Sequence, residues 1–172
     1  MAHKAPVYKD LIAVRTSKIQ GRGVFALRRI RKGKRIIEYI GEKISNEEAE
    51  KRYPDDTSER HHTFLFELDE ETIVDAATGY NISRYINHSC SPNCEAIIDD
   101  GHIYIEARKE IKKGEELTYD YSFEVEGRHT KELLKWYVCY CGSRRCRGTI
   151  LKPRPKKRKK VPKKAPKKAR KR

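Results

Sequence analysis

The sequence predicts a mostly-β single domain with small helical insertions. Three observations carry this: short β-branched and aromatic runs recur along the first 150 residues, turn residues punctuate them, and two segments alone break into helical spacing. At 172 residues the chain is long enough for one domain with a real core and too short for two large ones. No internal repeat interrupts the pattern.

In order, VRTSKIQGRGVFAL (14–27) reads as strand, Gly-Arg-Gly turn and strand, and RIIEYIG (35–41) as an apolar strand ending in glycine. SNEEAEKRY (45–53) opens with a capping serine, continues with glutamates and is stopped by Pro54, so it predicts a short helix. FLFEL, ETIVDAA, AIIDD, HIYIEARKEI and ELTYDY follow as strands, and HIYIEA (102–107) alternates as a half-buried strand should. DDG (99–101) predicts a hairpin turn, and RKGK (31–34) and KKGEE (112–116) predict strand-linking turns. HTKELLKWY (129–137) predicts a second helix.

The net charge of +15 is concentrated at one end. Residues 152–172 hold 14 Lys and Arg and no acid, which leaves 26 basic against 25 acidic residues before them. The tail KPRPKKRKKVPKKAPKKARKR cannot bury apolar surface and is expected to be disordered and extended. Its function class is an electrostatic arm for phosphate backbones or an acidic partner, with steep salt dependence and no base stacking. No apolar run approaches a membrane span, and MAHKAPVYKDLIAV lacks a secretory core, so no membrane partner and an intracellular location are expected. Five cysteines with no export signal favour metal binding or reduced thiols over disulfides.

VCYCGSRRCRG places Cys139, Cys141 and Cys146 in a C-x-C-x4-C cluster suited to tetrahedral zinc, which wants a fourth ligand. The other cysteines are Cys90 and Cys94, both in NHSCSPNC (87–94), an octapeptide that alone could be a metal clasp, a catalytic dyad or a polar turn. In GEELTYDYSF, Tyr119 and Tyr121 stand two apart and face one side of a strand.

Taken in order, IQGRGVFA, IEYIGE, a short insertion, RYINHSCSPNC, GEELTYDY and the terminal C-x-C-x4-C-RG resemble the SET-domain protein-lysine methyltransferases over roughly Leu11 to Leu151. The trithorax-type and compact bacterial members are the most similar in style. The resemblance implies several small sheets with a C-terminal pseudoknot, a SET domain over 11–123 with 45–62 as its insertion, and a post-SET zinc module over 135–151. It implies S-adenosylmethionine and Zn2+ as cofactors. Gln20, Arg22, Gly23, Phe64, Asn87, His88 and Tyr140 are implied to bind the methyl donor, with Ile150 packing on its adenine. Tyr121 is implied to be catalytic, and Tyr39 and Tyr119 to wall the lysine channel. Tyr119, where the family carries Phe or Tyr, implies mono- or dimethylation.

Cys90 is implied as the fourth zinc ligand beside Cys139, Cys141 and Cys146, which leaves Cys94 as a buried thiol. Pro92 and Asn93 are expected to shape a turn of the knot. Tyr80 and Tyr85 depart from the family pattern, and His61 and His62 are expected on the surface. The expected substrate is a lysine of a histone, a histone-like or another basic protein, at the nucleoid or cytoplasm of a bacterium or the nucleus or chromosome of a eukaryote or host. The competing class is a non-catalytic, zinc-stabilised module that binds nucleic acid through residues 152–172.

Overall fold

The computed structural model describes residues 8–54, 63–77, 81–125 and 127–154. Ten short strands and two short helices form three small sheets, as the alternating runs predict. The expectations for His61, His62, Tyr80 and the tail from residue 155 onward lie outside the described residues.

The first sheet holds β1 (Ile12–Thr16), β2 (Arg22–Ala26), β10 (Glu116–Tyr119) and β7 (Asn87–His88), in the order β1-β2-β10-β7. The β1 and β2 strands pair antiparallel, with Val14 opposite Val24. The expected Gly-Arg-Gly turn is displaced, because Arg22 and Gly23 pair with Thr16 and Arg15 inside the ladder. Residues 17–21 make the turn, closed by the Ser17 amide on the Gly21 carbonyl. The second sheet pairs β3 (Arg35–Tyr39), β9 (His102–Ala107) and β8 (Cys94–Asp99). Its hairpin turns at Asp100 and Gly101, both at positive φ, which is the two-residue geometry that the DDG triplet predicts. HIYIEA alternates exposed and buried as expected, with Ile103, Ile105 and Ala107 at 1% exposure or less.

The third sheet, β4-β6-β5, joins β4 (Glu42–Ser45), β6 (Thr72–Asp75) and β5 (Leu65–Glu67). Helix α1 (Asn46–Arg52) follows β4 directly because the Ser45 hydroxyl accepts the Glu48 amide at 3.2 Å. Arg52 closes its last turn and reaches Glu42 at 2.8 Å, Glu48 at 2.8 Å and buried Asp75 at 3.3 Å, which ties the helix to the sheet. Helix α2 (Lys131–Trp136) is capped in the same way by Thr130.

The main core packs Val24, Ile30, Ile86, Ile105, Ile111 and Leu117, all within 1% of full burial, between the first two sheets. Each such side chain contributes about 1.5–3 kcal/mol relative to exposure. A second cluster of Tyr39, Leu68, Val74, Ala76 and Ile103 fastens the third sheet to the second. Leu151, fully buried, bridges in parallel to Phe123, so the C-terminal segment returns onto the body.

Gly41 allows the closest backbone approach in this assembly. A Cβ there would stand 2.4 Å from the Asp75 carbonyl oxygen, a main-chain atom held in β6. Gly41→Ala is expected to lower stability by about 1–3 kcal/mol, read as a reduced urea midpoint with an unchanged slope.

Candidate active site

The site begins with β10, which lies between two strands of opposite sense. It runs antiparallel to β2 and parallel to β7, with Thr118 opposite Asn87 and Tyr119 opposite His88. The Ser89 amide continues the ladder to the Tyr119 carbonyl at 3.0 Å. Buried Asn93 supports β10 with its side chain, accepting the Thr118 amide at 2.9 Å and donating to the Glu116 carbonyl at 2.8 Å. Asn93 thus does more than shape a turn: it supplies the hydrogen bonds of a missing neighbouring strand.

Asn87 ties this ladder to the end of the β1–β2 loop and the start of β2. Its side-chain amide lies 3.2 Å from the Gln20 carbonyl, 2.9 Å from the Arg22 carbonyl and 2.9 Å from Glu116 Oε1. The same Glu116 oxygen accepts the Ser17 hydroxyl at 2.7 Å. Gly23 makes room for that carboxylate, because a Cβ on it would fall 2.2 Å from Glu116 Oε1.

Three phenols gather beside the ladder. Tyr39 is 5% exposed and donates to the Phe64 carbonyl at 2.8 Å. Tyr119, 8% exposed, stacks on Phe66 with ring centroids 6.0 Å apart. The Tyr121 ring lies 4.8 Å from Tyr119 and edge-on to His88 at 5.3 Å, and its hydroxyl donates to the Ile86 carbonyl at 2.9 Å. Although the Tyr121 residue is 36% exposed, its hydroxyl is turned inward onto Ile86. Enclosure pushes all three hydroxyls well above the ordinary tyrosine value, so they stay protonated at neutral pH.

These groups line one cleft of about 1810 Å³. Gln20, Arg22, Tyr39, Phe64, Asn87, His88, Tyr119, Tyr121, Tyr140 and Ile150 all face it, whereas Gly23 does not. Tyr85 faces it too, its hydroxyl accepting from Arg84 at 2.7 Å and Arg22 at 3.3 Å. The Arg84 guanidinium lies over the Phe64 ring at 4.9 Å and the Tyr85 ring at 4.8 Å. Tyr140 (53% exposed) and Trp136 (44% exposed) are aromatic groups left open on the cleft wall.

The cysteines divide cleanly. Cys94 is fully buried in the main core, and burial pushes its thiol up to about 12. Cys90, Cys139, Cys141 and Cys146 bring their sulfurs within 4.8 Å of one another, with Cys90 and Cys139 3.7 Å apart. Tetrahedral zinc with bonds near 2.3 Å would require sulfurs about 3.8 Å apart, so the donor set fits. Amides of Arg147, Gly148 and Cys141 point at the sulfurs of Cys90, Cys146 and Cys139 at 3.3, 3.4 and 3.5 Å, the backbone support that thiolate ligands need. Burial opposes ionisation of Cys141, but hydrogen bonding to Ser143 overrides it and draws the thiol down to about 5.

The cluster and the phenols are physically joined. His88 Nδ1 accepts the Tyr121 amide at 3.1 Å, which places the ring proton on Nε2, 3.4 Å from Cys90 Sγ. Burial holds this imidazole neutral, with its pKa lowered to about 4. A second link runs from Arg147, beside Cys146, to Asp120, beside Tyr121, through a two-pronged pair at 2.5 and 2.9 Å. Burial works against charge on Asp120, and the Arg147 hydrogen bonds overcome it and hold the carboxyl below its usual range. Sequence reasoning missed Asp120, Arg147, Glu116 and Ser17. A signal existed for the first two, in the aspartate inside YDY and the arginine beside the last cysteine.

The SET domain family model matches residues 21–122, more than half of the chain. The chain belongs to the SET-domain family. Curated relatives include Histone-lysine N-methyltransferase trr of Drosophila melanogaster, 42% identical over 81% of this chain. Histone-lysine N-methyltransferase 2B of Homo sapiens is 39% identical over 84%, and a Putative histone-lysine N-methyltransferase 1 of Plasmodium falciparum 41% over 80%. The chain spans only 6%, 5% and 2% of those three proteins. The SET match covers the glycine turn, the NHSC segment and ELTYDY, and the cysteine triplet follows it. No helix among the described residues is long and apolar enough to cross a membrane.

Metal analysis of the purified chain should find one divalent ion per molecule, lost in Cys90→Ser and retained in Cys94→Ser. Retention in the first and loss in the second would reverse the assignment.

Proposed function

We propose that this SET-domain chain is a protein-lysine N-methyltransferase that uses S-adenosylmethionine and holds one structural zinc ion. The observation that carries the reading is the single cleft in which Tyr121, Tyr39 and Tyr119 stand beside Asn87 and His88. The donor group supplies a methyl on a sulfonium. Methyl transfer breaks its carbon–sulfur bond as the lysine nitrogen's lone pair forms the carbon–nitrogen bond, leaving a neutral thioether.

The chain's own residues meet the demands of that displacement. Tyr39 and Tyr119 wall the lysine channel, and the loss of hydration between these buried walls disfavours ammonium and so lowers the lysine's pKa. None of the three phenols is a base, because each keeps its proton, so the lysine gives up its proton to bulk water before its side chain is enclosed. The Tyr121 hydroxyl spends its hydrogen on Ile86, which turns its oxygen lone pairs to a positively polarised methyl. Gln20, Arg22, Asn87, His88, Phe64 and Tyr140 bind the donor, with Ile150 packing against its adenine. Gly23 acts indirectly, by admitting the Glu116 carboxylate that anchors Asn87.

The zinc, held by Cys90, Cys139, Cys141 and Cys146, fixes the segment 135–151 as a module against the core of residues 11–123. Substrate backbone adds as a strand to β5, the edge of the third sheet, whose Leu65, Phe66 and Glu67 line the cleft. The names of the relatives favour a histone or similar basic protein and a chromosomal location. The tail from residue 152 serves as an arm for nucleic acid or an acidic partner.

With labelled donor and core histones, Tyr121→Phe is expected to reduce transfer by about 10²–10³-fold while donor binding persists. Absence of transfer by the wild type, with zinc and donor bound, would favour a binding module instead. Tyr119→Phe, which removes a hydroxyl from the channel, is expected to shift the peptide product towards higher methylation by mass spectrometry. An unchanged distribution would remove Tyr119 from that role.

A further inference from the structure

We infer a second nucleic-acid contact on the folded body, separate from the tail: a basic ribbon made where residues 28–34 meet residues 108–115. The two segments are distant in sequence but are zipped together by main-chain bonds. Ile30 and Ile111 exchange amide–carbonyl pairs at 2.8 and 2.9 Å, and Gly33 donates to the Ala107 carbonyl at 2.7 Å. At the other end Gly114 donates to the Ala26 carbonyl at 2.8 Å. Ile30 and Ile111 are sunk in the core, at 1% and 0% exposure, and pin the ribbon from beneath.

Every other side chain on the pair is polar and exposed. Residues 28–34 carry five cations and no acid, and residues 108–115 carry four cations and two acids. Both acids are already engaged: Glu110 pairs with Arg29, and Glu115 accepts the Lys112 amide at 2.9 Å. A body that is nearly neutral as a whole therefore concentrates positive charge where these two turn-bearing segments meet.

The chemistry of the strip selects its partner. Protein surfaces bind one another around an apolar or aromatic centre, and this ribbon has none. The exposed large apolar side chains among the described residues, Ile98, Tyr121, Phe123, Trp136 and Tyr140, all lie elsewhere. A phosphate backbone needs only closely spaced cations, which displace its counterions. The proposed contact is with phosphates, which carry no sequence information, and the strip offers no aromatic ring on which a base could stack. Of the nine cations only Arg108 borders the cleft, so the strip can lie on a duplex while the cleft takes a protein substrate.

The test is fluorescence anisotropy of the full chain on a labelled random-sequence duplex across a KCl series. Arg28→Gln, Arg31→Gln, Lys32→Gln and Lys113→Gln combined should weaken binding at ~0.15 M salt by tenfold or more and make the log–log salt slope shallower by about 2–4. Lys163, Lys164, Lys167 and Lys168 changed to Gln in the tail should weaken it separately, the two effects multiplying. Transfer to a free peptide should stay at the wild-type rate in the ribbon variant, which keeps this result independent of the catalytic reading. Unchanged duplex affinity and slope would overturn the proposal. So would loss of binding to poly-glutamate with duplex binding intact, which would mark an acidic protein partner.

Discussion

The parallel pairing of two residues, Asn87 and His88, with Thr118 and Tyr119 is the constraint on which the site depends. A two-residue ladder contributes little alone, and parallel pairing across thirty residues needs other interactions to hold it. They come from side chains. Asn87 fastens β7 to Gln20 of the β1–β2 loop and to Arg22 at the start of β2, Asn93 lends β10 two hydrogen bonds, and buried Ile86 and Leu117 anchor the pair in the core. Remove this join and Asn87 and His88 separate from the phenols, although β1, β2 and β10 and the other two sheets would keep their partners.

The cysteine cluster lies one step outward from that join. Through His88 it reaches the Tyr121 amide, and through Arg147 it reaches Asp120, so both sides of the catalytic candidate are set by residues adjoining metal-ligand positions. Neutral His88 and ionised Asp120 are the protonation states these hydrogen bonds need, and burial and the guanidinium respectively maintain them. An ion held by the cluster would therefore be coupled to the shape of the cleft as well as to the folding of the C-terminal segment.

Much of the fold was legible because its signals are local. Alternation marked β9, Ser45 and Pro54 bracketed α1, and Asp99 to Gly101 announced the hairpin. What escaped was short or long-range. EKIS and Asn-His are too brief to show a period, and the second exists as a strand only because β10 arrives beside it. The site residues came through motif order, since nothing in the spacing of NHSC and YDY alone places them together. Arg147 and Asp120 sit inside marked motifs, yet their pairing was not legible: a charged pair has no periodicity, and each residue looks like ordinary surface until its partner is known.

The cluster draws one ligand position from residue 90 and three from residues 139 to 146. A chain made from its N-terminus therefore reaches residue 121 with every cleft-lining tyrosine but Tyr137 and Tyr140 already present, yet without the clasp that sets their geometry. Leu151, the plug that seals the segment against Phe123, comes later still. Completion of the cleft is thus a matter of timing: the three late cysteines and Leu151 are made last, and the proposed site is whole only when they have joined Cys90 and Phe123.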